Sequence, residues 1–139
     1  MSSATGIEWT DSTWNPIRGC SRVSEGCRNC YAESVAYRFS GVGKPYEGLV
    51  AVDGAGSRKR QWNGQVRLVE EHLLDPFKWE PVQLPCADPA CGQMERATGC
   101  YGPDSRPRRI FVNSMSDLFH ENVPDEWIDR IFAVMALCP

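Results

Sequence analysis

Three cysteines carry the strongest chemical signal in this chain: Cys20, Cys27 and Cys30. Six residues, Ser-Arg-Val-Ser-Glu-Gly, separate the first two, and Arg28 and Asn29 separate the second two. Thiolates are soft donors, so three of them this close together make a compact site suited to zinc or to an iron–sulfur cluster. A structural zinc ion is closed by four ligands, so a zinc site needs a fourth group from afar, such as Cys86, Cys91, Cys100 or a histidine. Three local thiols with no nearby fourth point instead to a four-iron four-sulfur cluster with one open iron. Gly19 and Gly26 flank the loop, and it leads into a helix whose positive end favours anionic thiolates.

A second candidate group lies far along the chain. Asn113, Ser114, Ser116 and Asp117 follow Arg109-Ile-Phe-Val112, a short apolar run suited to a buried parallel strand. In parallel α/β architectures ligands sit at the carboxyl ends of strands, and these four side chains offer both donors and acceptors. The same residues equally suit an Asx or Ser cap opening the next turn. His120 beside Glu121 is a lone histidine and weak evidence for a ligand. Cys86, Cys91 and Cys100 form a second triplet whose spacing matches no strong metal pattern.

The elements that must position these groups are short. Ile7, Trp9, Trp14 and Ile17 alternate with turn formers and a proline, which predicts an extended start. Tyr31, Val35 and Phe39 recur four apart and predict a helix with that stripe in the core, closed by Ser40-Gly41. The glycine-rich stretch from about 41 to 64 reads as a long exposed loop with a solvated basic run, Arg58-Lys59-Arg60. Val66 to Val69 reads as a strand, Glu70 to Trp79 as a short helical or turn segment, and about 81–107 as a second inserted loop. Pro124-Asp125-Glu126 opens a last helix that places Ile128, Ile131, Phe132 and Met135 on one face. The pattern is that of an α/β fold: the amino-terminal part of a partial βα, TIM-like barrel or an open parallel sheet, with long irregular loops. It breaks off after a helix with no further strand, so 1–139 reads as one incomplete domain.

Composition agrees with a globular chain. The 139 residues are 42% hydrophobic and 24% charged, enough for a real core and against bulk disorder. A formal charge of −3 gives no whole-protein attraction to nucleic acid, so any such binding must be local. No apolar run is long enough to span a bilayer, and the start lacks signal-peptide features, so the expectation is a cytoplasmic protein without membrane association. Seven cysteines, an odd number in a reducing compartment, fit a disulfide scaffold poorly.

Asn15-Pro-Ile-Arg-Gly-Cys20 with Gly26-Cys-Arg-Asn-Cys-Tyr-Ala32 resembles the cluster loop of radical S-adenosylmethionine enzymes, particularly those related to spore photoproduct lyases. The six-residue gap is longer than theirs, and Asn29 stands where an aromatic residue commonly precedes the third cysteine. That gap, with Gly6 to Pro16, Cys30-Tyr-Ala-Glu33 and Phe111 to His120, is similar to a phage and prophage family of three-cysteine proteins of unknown function. Its members are often encoded beside a three-Cys-motif partner protein, and they normally continue past the point where this chain stops. The resemblance implies that Cys20, Cys27 and Cys30 hold three irons and that the fourth binds S-adenosylmethionine. Asn113, Ser114, Ser116 and Asp117 would then contact that cofactor, and reduction would yield methionine and a deoxyadenosyl radical. It implies a nucleic acid or a partner protein as substrate, with this truncated chain inactive by itself. The contrasting expectation is a zinc-stabilised, non-catalytic binding module of the same family.

Overall fold

A computed structural model describes residues 6–85 and 101–138. The triplet Cys86, Cys91 and Cys100 lies outside them. The chain opens with β1 (Ser12–Trp14), breaks at Asn15-Pro16, and resumes as β2 (Ile17–Arg18). Proline cannot donate to a strand ladder, which accounts for the break. Trp14 and Ile17 are buried on either side of it. A loop and a 3₁₀ turn (Glu25–Asn29) then lead into α1 (Tyr31–Arg38).

Parallel pairing joins β1 to β8 (Ile110–Val112), with Ser12 opposite Ile110 and Trp14 opposite Val112. Asp11 pins the start of this pair. Its carboxylate accepts two bonds from the Arg106 guanidinium, at 2.7 and 2.8 Å, and one from the Arg109 backbone N–H at 2.8 Å. These bonds, Arg106 first, hold the Asp11 carboxyl well below the ordinary carboxylate range. A lowered folded value stabilises above the unfolded pKa of about 4 and is lost as pH falls through the folded value. Asp11→Asn is therefore expected to melt below the wild type at neutral pH, with the gap narrowing in strong acid. Melting curves of the two proteins across that range check it.

The remaining sheets are antiparallel pairs. β3 (Val50–Val52) pairs with β4 (Arg58–Trp62), β2 with β5 (Arg67–Leu68), and β6 (Val82–Pro85) with β7 (Tyr101–Arg106). α2 (Glu70–Leu73) and a 3₁₀ turn (Asp75–Lys78) follow β5, and α3 (Asp125–Leu137) follows β8. The α/β class stands. Every described sheet has two strands, and the described residues close no barrel. Between β1 and β8 the described strands go into antiparallel pairs, the local β3–β4 hairpin and the sequence-distant β2–β5 and β6–β7, and none of them adds to the parallel pair. Among the described residues no helix is long and apolar enough to cross a membrane.

Two apolar clusters hold these pieces. One joins α1 to the β3–β4 hairpin through Ala32, Ala36, Tyr46, Leu49, Val50, Trp62 and Met115. The other packs α3 and α2 under β1 and β2 through Trp14, Ile17, Leu73, Val123, Ile131 and Val134. Four expectations are corrected here. The stretch 41–64 is not an open loop: it carries the hairpin and four core residues. The stretch 81–107 contains the β6–β7 pair. On α1 the buried face is Ala32, Glu33 and Ala36, while Tyr31 and Phe39 are exposed. On α3 the buried pair is Ile131 and Val134, with Phe132 and Met135 facing out.

Candidate metal centre

The site begins with Gly19, whose φ of 101° is open to glycine and strained for other residues. Its backbone forms a parallel bridge to Ser116, extending the β1–β8 pairing beyond the strand ends. Cys20 follows immediately, so this bridge seats the first thiol beside the 113–117 turn. Cys30 caps α1 at its amino end, and its N–H donates to the Cys27 carbonyl at 3.2 Å. The two later thiols are thus held by one turn of backbone, Cys27 through Cys30. Cys20 and Cys30 are partly buried against the α1–hairpin cluster.

Cys20 lies within electrostatic reach of the other two thiols. Burial pushes the Cys20 thiol up, and negative charge on Asp117, Cys30 and Cys27 pushes it further. The Ser24 hydroxyl, at 3.5 Å, and then the Val23 and Ser24 backbone hold the Cys27 thiol below its ordinary value. Arg22 supplies the compensating cation. Its guanidinium is held protonated by Glu33 first and then by the charges of Cys27 and Cys30.

Glu33 anchors Arg22 and thereby the loop. It is 2% exposed, yet it accepts Arg22 Nε at 2.9 Å, Arg22 Nη2 at 2.6 Å and the Trp62 N–H at 3.2 Å. Burial alone would raise this carboxyl; the Arg22 bonds and the Trp62 amide outweigh it and bring it below its usual value. The cysteine loop, α1 and the hairpin therefore share one charged clasp. Glu33→Gln is expected to cost about 2 kcal/mol of stability, below the loss for a fully buried pair because about a third of Arg22 remains in water. Urea unfolding of the variant against the wild type measures it.

The far group stands on the same side as the thiols. The Tyr31 hydroxyl, on the residue after Cys30, donates to the Ser114 carbonyl at 2.7 Å. Asn15 Oδ1 accepts from the Ser114 hydroxyl and the Met115 N–H, both at 3.1 Å, which fixes the turn against β1. Asn113 takes a left-handed φ of 55° within it. Of the four expected contact residues, Ser114 is committed to Asn15, and Asp117 accepts the Phe119 N–H at 2.9 Å as an Asx turn. The amide of Asn113 and the hydroxyl of Ser116 are different. Both Asn113 side-chain polar atoms and Ser116 Oγ are buried without a hydrogen-bond partner, which is costly unless a ligand completes them.

His120 plays a part that its isolation in sequence conceals. It is buried, its Nδ1 accepts the Asn122 N–H at 3.1 Å, and its Nε2 lies 2.8 Å from the Ser21 hydroxyl. With Nδ1 accepting, Nε2 carries the proton and donates to Ser21, the neighbour of Cys20. Asn15, Arg22, Glu33 and His120 were thus missed as supports. The Asn-Pro before Gly-Cys was the one visible hint.

Among the described residues no three His, Cys, Asp or Glu side chains converge as a set that could hold a single metal ion. A zinc ion would draw its thiolates to about 2.3 Å from one point. The three cysteines are not a converged set for either centre; what the loop offers is donor type, three soft thiols of the kind an iron–sulfur cluster takes, with Cys20 and Cys30 against an apolar cluster. The model of a family described as "Protein of unknown function (DUF5131)" matches residues 4–139. No curated protein and no solved structure matches the chain.

Proposed function

The chain belongs to the DUF5131 family, and from that premise we propose that it is an iron–sulfur protein of the radical S-adenosylmethionine kind. The observation that carries this reading is the Gly19–Ser116 bridge, which brings the three-thiol loop against a strand end with unpartnered polar atoms. Cys20, Cys27 and Cys30 are the ligands. When bound, a four-iron cluster supplies an open iron for the amino and carboxylate groups of S-adenosylmethionine and an electron for its sulfonium.

The chain's own residues do the rest. Arg22 offsets the negative charge gathered on the thiolates. The Asn113 amide and the Ser116 hydroxyl offer the donors and acceptors that a polar cofactor needs. Asn15 and His120 hold the two halves of the site at fixed spacing. The parallel β1–β8 pair supports the finer architecture as well, the first strands of a TIM-like barrel or open parallel sheet. Anaerobic purification and iron–sulfide reconstitution test the reading. A brown protein with about four irons per chain is expected. A colourless protein holding one tightly bound zinc overturns it in favour of a binding module.

A further inference from the structure

Along the β2–β5 pair lies a cleft of about 460 Å³ lined by Arg18, Lys44 and Arg67, with Glu71 as its carboxylate. We propose that this cleft binds a phosphate group, free or carried by a nucleic acid strand. The inference goes beyond the cluster reading and does not depend on it.

Pairing of β2 with β5 sets Arg18 directly opposite Arg67. Like charges in facing positions of an antiparallel pair destabilise it, so the arrangement calls for an anion between them. Among the described residues neither guanidinium pairs with a carboxylate. Arg67 Nη2 donates to the Glu47 carbonyl at 2.8 Å, and the Arg18 guanidinium lies over the Tyr46 ring, 5.5 Å from its centre. Arg18 Nε is buried with no hydrogen-bond partner. The cation–π contact with a buried ring restrains this guanidinium, and a restrained fork suits two oxygens of one oxyanion. Lys44 adds a third positive charge on the rim. The cations thus outnumber the lining carboxylate three to one, a local excess in a chain whose net charge is −3.

The basic rim continues away from the cleft. Lys44 and Arg58 both approach Gly41, within 4 Å of where its Cβ would stand. A second phosphate linked to the first would meet Arg58 there, as a free phosphate would not.

Calorimetric titration of the purified chain with inorganic pyrophosphate and with a short oligothymidylate tests the proposal. Both probes are expected to bind and to raise the melting temperature. Arg18→Gln is expected to weaken pyrophosphate about tenfold, as loss of a charge-assisted bond should. Arg67→Gln is expected to weaken it similarly, with the ligand-free protein still folded. Arg67 is exposed, so this variant carries the test even where Arg18→Gln fails to fold. Arg28→Gln, whose side chain pairs with Glu25 in the cysteine loop and does not line the cleft, should leave binding unchanged. Tighter binding of the oligonucleotide, lost as salt rises, assigns the phosphate to a strand backbone; equal binding assigns it to a small ligand. No binding of either probe, or binding that ignores both Arg18→Gln and Arg67→Gln, overturns the site.

Discussion

Cys27→Ser is expected to abolish iron binding while leaving the chain folded. Cys27 is partly exposed and lies in the 3₁₀ turn Glu25–Asn29, which has no buried residue, so the apolar clusters lose nothing. What goes is the thiol that the Ser24 hydroxyl and the backbone of the turn favour as thiolate. A serine hydroxyl stays protonated near neutral pH and is a hard, poor substitute for iron. Reconstitution should give a colourless protein with an unchanged melting curve. Cys91→Ser serves as the counterpart, with its colour and iron content expected at wild-type level. Loss of the cluster in both variants would merge the two cysteine triplets into one site and contradict the assignment of Cys20, Cys27 and Cys30 alone.

Gly19→Ala is expected to damage the fold itself. A Cβ built on Gly19 would stand 2.1 Å from the Gln65 carbonyl oxygen and 3.1 Å from Val66 Cα, both backbone atoms that cannot swing aside. The φ of 101° is strained for alanine in addition. Together the strain and the forced backbone shift should cost about 4 kcal/mol or more, a large part of the stability of a small domain. The bridge to Ser116 and the Gly64 N–H bond to the Cys20 carbonyl sit at the same point, so the first thiol moves with the damage. Urea unfolding and iron content should therefore fall together in this variant. A Gly19→Ala protein as stable as the wild type would mean that the approach to Gln65 is not a constraint.

Those two residues mark the limits of what the sequence reveals. The cysteine spacing was legible because soft ligands must cluster along the chain to hold metal. The apolar run Ile110–Val112 was legible as a strand that pairs in parallel, but not as a buried one: in a two-stranded sheet all three residues stay half-buried rather than covered on both faces. The β3–β4 hairpin was not legible. Its second strand, Arg-Lys-Arg-Gln-Trp, has no alternation to detect, and its contribution to the core rests on Trp62 alone. The face of α1 was misjudged for a related reason. Pattern reading places Tyr31 and Phe39 inside and a glutamate outside, whereas Glu33 is buried because Arg22, eleven residues earlier, pairs with it. Such a partner is set by tertiary contact and leaves no periodic trace. The meeting of the thiol loop with the 113–117 turn was foreseeable from topology, since ligands collect at the ends of parallel strands. The unpartnered state of Asn113 and Ser116 was not, because it depends on Asn15 spending its oxygen on Ser114 and Met115 instead.

The central claim is that one site joins the three thiols to the polar strand end for a cofactor bound at an open iron. Electron paramagnetic resonance of the reduced, reconstituted protein, recorded with and without S-adenosylmethionine, tests it most directly. A four-iron cluster signal that shifts when the cofactor is added is expected, with a weaker shift in Asn113→Ala. A cluster whose spectrum ignores the cofactor, or a protein that holds only zinc, would contradict it.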